Sequence, residues 1–146
     1  MRRVSFVFVL LSAALAVSCG GSKGRGIEAL CARLIDCGVG ISEHECLSSF
    51  GPMVLSDACL DAMFEAPCEE HNSAQPSYLG LCFDSCAVEG RDCDGDLIYI
   101  CQGGIEIVLD CELVCQYQKN MEYTGVCSET GPNGEVSDSG QVCWCQ

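Results

Sequence analysis

Cys111-Glu112-Leu113-Val114-Cys115, answered further along by Cys143-Trp144-Cys145, is the stretch on which the reading of this fold turns. On an α-helix, residues four apart lie on one face, about 6 Å apart along the axis. On a β-strand, residues two apart share a face, about 6.6 Å apart. The spacings match. A helix laid along a strand can therefore be stapled by two adjacent disulfides within ordinary disulfide geometry. Spacing leaves two pairings open: Cys111 with Cys143 and Cys115 with Cys145, or the crossed arrangement.

The flanking sequence supplies the other elements. Leu97-Ile98-Tyr99-Ile100-Cys101 is rich in β-formers, and so is Ile105-Glu106-Ile107-Val108-Leu109. Gln102-Gly103-Gly104 lies between them as a turn, which predicts a hairpin. Asp110 opens a helix expected over 112–121. Strands are expected over 123–128 and 141–146, with Asn133-Gly134 marking a turn in the loop between them. The order over residues 87–146 is thus β-β-α-β-β; with Cys86 just before it, this part has eight cysteines: Cys86, Cys93, Cys101, Cys111, Cys115, Cys127, Cys143 and Cys145.

This arrangement resembles the cysteine-stabilised αβ motif of defensins and scorpion toxins, whose helix carries C-x3-C and whose last strand carries C-x-C. Gly125-Val126-Cys127 is similar to the G-x-C of their penultimate strand. The resemblance covers roughly residues 93–146. It implies the pairings Cys111–Cys143 and Cys115–Cys145, then Cys101–Cys127 and Cys86–Cys93. It departs in the long segment from Cys127 to Cys143 and in the additional N-terminal hairpin. Defensins act on anionic membranes through positive charge. Residues 87–146 carry eleven acidic side chains against Arg91 and Lys119, so that activity does not carry over.

Residues 27–86 read as a helical module holding Cys31, Cys37, Cys46, Cys59, Cys68 and Cys82. Ile27, Leu30, Cys31 and Leu34 recur on one helical face, and Gly38 closes that helix. Ser42 and Glu45 form a capping box that opens a helix over 43–50, and Gly51-Pro52 ends it. Ser56 or Asp57 caps a third helix, whose apolar face is Cys59, Ala62, Met63 and Ala66; Pro67 stops it. Residues 71–77 form a loop, and Tyr78–Phe83 a last short turn or helix. The fold class is therefore small, disulfide-rich α+β, a helical six-cysteine module followed by the eight-cysteine αβ module.

Residues 1–18 read as a signal peptide: Met1-Arg2-Arg3, then an apolar run from Val4 to Val17, too short to span a bilayer. Ala16-Val17-Ser18-Cys19 resembles the lipobox of bacterial lipoproteins, with Ala where Leu is usual. The resemblance implies that Cys19 carries lipid; with the glycine-rich residues 20–26, which hold no core-forming side chain, residues 19–26 read as a lipid anchor and flexible tether. Gly20 stands where Asp would resemble an inner-membrane retention signal, which favours the outer membrane. Cleavage by ordinary signal peptidase after Ser18 gives the alternative, a secreted, non-lipidated effector or protease inhibitor.

Fifteen cysteines in 146 residues is the composition of a disulfide scaffold in an extracytoplasmic compartment. With Cys19 set aside, the remaining number is even, so every other cysteine is expected in a disulfide. Aromatics are only 7%, so the core is small and needs such bonds. The formal charge of −14 excludes nucleic acid as a partner.

Few residues suggest chemistry. Asp92, Asp94 and Asp96 alternate around Gly95, a weak calcium candidate that lacks the glycine and glutamate an EF-hand loop places at 97 and 103. His44 and His71 have no metal-ligand spacing, oxidised cysteines do not ligate zinc, and no nucleophile-elbow motif occurs. Alternation along the last strand sends Trp144 away from the helix, with Tyr99 and Tyr123 as possible neighbours in a binding surface. The sequence therefore calls for no cofactor and no catalysis, with an enzyme as the second alternative. It points to a membrane-anchored envelope protein that binds a protein or glycan ligand.

Overall fold

The computed structural model of the chain describes residues 23–146. The leader and Cys19 lie outside the described residues. The helical half begins with α1 (Lys23–Asp36), which includes residues 23–26, expected as tether. Gly26 lies against Leu60: a Cβ there would stand 3.4 Å from Leu60 Cδ1. Ile27, Leu30, Cys31 and Leu34 form the buried face of α1.

The second helix, α2 (Glu43–Phe50), is opened by the expected capping box. Glu45 N–H donates to Ser42 Oγ at 3.3 Å, while the Ser42 hydroxyl and N–H both donate to Glu45 Oε2. Those bonds, the hydroxyl's first, hold the Glu45 carboxyl below its ordinary pKa. Ser56 caps α3 (Asp57–Glu65) through the N–H of Cys59. Short turns α4 (Cys68–His71) and α5 (Leu79–Cys82) follow. The core of this half gathers Leu30, Cys31, Leu34, Cys46, Cys59, Met63 and Tyr78. Disulfides Cys31–Cys46 and Cys59–Cys82 tie helix to helix at this core, and Cys37–Cys68 joins the end of α1 to α4 at its margin.

The second half begins with a four-stranded antiparallel sheet, in the order β1 (Asp84–Ser85), β4 (Ile105–Asp110), β3 (Leu97–Gln102), β2 (Gly90–Asp94). The hairpin β3–β4 turns at Gly103 and Gly104, whose φ values of +64° and +81° suit a right-twisted two-residue turn. After β4 the chain forms α6 (Cys111–Val114), capped by Asp110, whose Oδ1 accepts from the N–H groups of Glu112 and Leu113. The helix expected over 112–121 is corrected in form. It widens at Cys115–Lys119 into a π-helical turn and ends at Asn120, with φ +52°. The widened turn leaves the Tyr117 carbonyl to accept from Ser48 of α2. A separate pair, β5 (Tyr123–Ser128) and β6 (Val142–Cys145), completes the fold.

The element order is therefore richer than β-β-α-β-β. Strands β1 and β2 precede the hairpin. Asp84–Ser85 is too short to register as a strand, and Gly90-Arg91-Asp92-Cys93-Asp94 has no β-branched residue; it is held by pairing with β3. These strands also explain a correction to the disulfides. The bonds are Cys86–Cys101 and Cys93–Cys127, not Cys86–Cys93 and Cys101–Cys127. Cys86 donates its N–H to Gly104 at the hairpin tip, beside Cys101, while β2 carries Cys93 across to β5. Cys111–Cys143 and Cys115–Cys145 join helix to last strand in the parallel sense. None of the seven bonds crosses between residues 31–82 and 86–145.

The halves nevertheless touch along one seam. Val54 N–H donates to Val108 O at 2.9 Å, Asp110 N–H to Pro52 O at 2.8 Å, and Met53 bridges Leu109. Gln118 Nε2 donates to the Ser48 carbonyl. Gly51 lies so close to Tyr117 that a Cβ there would sit 2.8 Å from the ring. No helix among the described residues is long and apolar enough to cross a membrane.

Candidate functional site

The staple places a small core beneath the αβ half. Cys111 and Cys115 are fully buried on the inner helical face, and Cys143 faces them from β6. Ile98 and Val114 close the cluster, with Cys93, Tyr123 and Cys127 packed at its edge. Above it, the β2–β3 turn, the helix and the start of β5 enclose an open cleft of about 610 Å³. Asp96, Glu112 and Glu122 line it with carboxylates, beside Gln116, Met121 and Tyr123.

Tyr123 is the most perturbed group there. Burial of its phenol, and next the carboxylates of Asp96 and Asp110, push its pKa up to about 12. Its hydroxyl is buried without a well-formed hydrogen bond. Such a phenol stays protonated near neutrality, so it serves as a donor and not as a base. The cleft thus offers carboxylate acceptors beside the Gln116 amide, and its lining brings no nucleophile together with a general base.

The aromatic candidates do not converge into a stacked cluster. Trp144 is half-buried, its indole N–H bonded to Ser128 O at 3.1 Å, and its ring packs so closely on Gly131 that a Cβ there would stand 2.9 Å from it. Tyr99 sits on β3 opposite Asp92 and Val108, in the other sheet. Among the described residues the one aromatic ring pair is His71–Tyr78. Sequence alternation could not reveal the loop after β5 folding back over Trp144.

The three aspartates are likewise dispersed. Asp92 Oδ1 accepts from Cys93 N–H and from Gln141 Nε2. Asp94 ends β2, and Asp96 turns into the cleft wall. Among the described residues, the one group of three or more side chains with metal-ligating atoms within 4.8 Å is Cys111, Cys127 and Cys143. All three sulfurs are committed to disulfides.

A buried polar group that sequence reading left unassigned lies in the helical half. His71 packs between Arg33 and Tyr78, with Nδ1 3.2 Å from the Tyr78 hydroxyl. Arg33 Nη2 donates to Ala66 O at 2.8 Å. Neither His71 Nε2 nor Arg33 Nε has a partner. Burial first, then the Arg33 charge, lower the His71 pKa, against a smaller opposing effect of Glu70.

The chain matches no protein-family model, and neither curated proteins nor solved structures give a significant match.

Proposed function

We propose that this protein is a lipid-anchored component of the cell envelope whose disulfide-locked body presents a rigid surface for non-catalytic binding. The observation that carries this reading is the distribution of the seven bonds. Three lock the helical core and four lock the αβ core. Such density suits a small, stable protein of the extracellular type. A surface held this way loses little conformational entropy on binding, which favours recognition over catalysis by moving parts. The Ala16-Val17-Ser18-Cys19 site supports attachment, because a diacylglycerol thioether plus an amide-linked acyl chain would hold the chain stably in a bilayer.

Expression of the whole chain in a diderm bacterium, followed by detergent partitioning and intact mass, tests the anchor. The mature chain should begin at Cys19, carry lipid mass and fractionate with the outer membrane, and Cys19→Ser should release it. A soluble chain beginning at Cys19 without lipid would instead establish the secreted form. The binding reading is tested by passing envelope extract over the immobilised oxidised body and over its reduced, unfolded counterpart. Ligand should be retained by the first alone. Turnover in a hydrolase panel would overturn the non-catalytic reading.

A further inference from the structure

Two disulfides meet at the heart of the αβ half. The sulfurs of Cys111, Cys127 and Cys143 lie within 4.8 Å of one another, although Cys127 is bonded to Cys93. The bonds differ in access. Cys111 exposes nothing and Cys143 only 6%, whereas Cys93 and Cys127 are half-buried at the margin of the core. Cys127 and Cys143 are also direct cross-strand partners on β5 and β6. Antiparallel partners stand about 4.5–5.5 Å apart between Cα atoms, a separation a disulfide accepts. The fold therefore holds ready a bond that it does not contain.

We propose that these four cysteines form a capture site for a low-molecular-weight thiol. The incoming thiolate attacks Cys93 Sγ. The Cys93–Cys127 bond breaks, and its electron pair leaves on Cys127. The Cys127 thiolate then attacks Cys143 Sγ, forming Cys127–Cys143 and expelling Cys111. Cys111 takes up the proton that the incoming thiol gave up. Two disulfides and one thiol become two disulfides and one thiol, so no oxidant or reductant is consumed. Attack at Cys127 instead would leave a Cys93 thiolate with no neighbouring bond in the cluster, and would simply reverse.

The second step makes capture persistent. Cys111 is fully buried, so no solvent base reaches its thiol to take the proton and it returns the sulfur slowly. As a free thiol it also packs as a small apolar side chain, without penalty to the core. Cys93 lies mid-strand on β2 between Asp92 and Asp94. A small flexible thiol reaches that position more readily than a thiol on a folded protein.

The test uses the oxidised chain and reduced glutathione at mildly alkaline pH, followed by acid quenching, intact mass and a non-reducing peptide map. The expected product has one glutathione on Cys93, a Cys127–Cys143 bond, and a Cys111 thiol that alkylates only after denaturation. Absence of an adduct, glutathione on any other cysteine, or an adduct that leaves Cys111–Cys143 intact would overturn the proposal. A second variant, Cys111→Ala with Cys143→Ala, keeps the outer bond and removes the acceptor. Its adduct should fall about tenfold at equal glutathione, because the freed Cys127 thiolate reverses the capture. Equal adduct in this variant would also overturn it. If the variant does not fold, the map of the unaltered chain still decides.

Discussion

The two staple bonds should stabilise the protein cooperatively, and the magnitude follows from their positions. Cys111 and Cys115 are four residues apart, and Cys143 and Cys145 two apart. With one bond intact in the unfolded chain, the other closes a loop of only about six residues, which is worth about 2.2 kcal/mol in the chain-entropy description. With neither present, the first bond restored spans 32 residues in the case of Cys111–Cys143. It is then worth about 3.7 kcal/mol. Replacing either cysteine pair with alanine should therefore cost about 2.2 kcal/mol, and replacing both about 6, an excess of about 1.5 over additivity. The space left by the lost sulfurs adds to single and combined variants alike and cancels from the excess. Equilibrium unfolding in guanidinium, with the other bonds oxidised, measures all three losses; sulfate keeps the weakest variant folded at the start of the titration. Additive losses, with no excess in the combined variant, would refute the idea that helix and strand share one doubly closed frame.

Gly51→Ala should cost about 1–3 kcal/mol in a urea titration, since the new methyl meets the Leu47 carbonyl oxygen of α2 and, at 2.8 Å across the seam, the Tyr117 ring; an unchanged midpoint would mean that both the end of α2 and the ring yield freely. Tyr123→Phe should leave stability unchanged or raise it by up to about 1 kcal/mol, because it deletes a buried hydroxyl that lacks a good partner, and it should remove the phenol that titrates near pH 12 in ultraviolet absorbance. His71 should make stability pH-dependent. Its folded pKa lies below the unfolded value, so the neutral ring's contribution is complete above about pH 6.5 and declines as pH falls through that value toward the folded pKa. His71→Gln should flatten the stability profile over that range, and a profile identical to the unaltered chain would assign the slope to other groups.

Much of the helical half was legible because its signals are local. Ser42 with Glu45 and Ser56 before Cys59 mark helix starts through bonds made within three residues. The spacing of Ile27, Leu30, Cys31 and Leu34 records a buried face directly. The staple was legible for a similar reason, since two short spacings matched. Strand β2 was not, because its polar sequence is recruited to the sheet by β3 and not by its own propensity. The pairing of Cys86, Cys93, Cys101 and Cys127 failed with it. Once an unseen strand enters the sheet, the cysteine it carries changes neighbours. The setting of Trp144 also depends on a distant loop: alternation gave its face, but not the Ser128 carbonyl and Gly131 that hold it there.

The seam between the halves shows what the helical part contributes to the sheet. β4 would be an edge, with unpaired backbone groups facing outward, a template for association with another chain. Instead, residues 52–54 cover one end of it through Pro52, Met53 and Val54, while Asp84 and Ser85 cover the other. Both segments flank the helices bonded by Cys59–Cys82, which holds α3 to α5 between them. The bond thus fixes two strand-like segments at the spacing β4 requires, although it never touches the sheet. A core with its own three disulfides need not have covalent bonds to its neighbour when its loops already complete the neighbour's edge. This arrangement accounts for a chain in which the disulfides divide cleanly while the backbone hydrogen bonds do not.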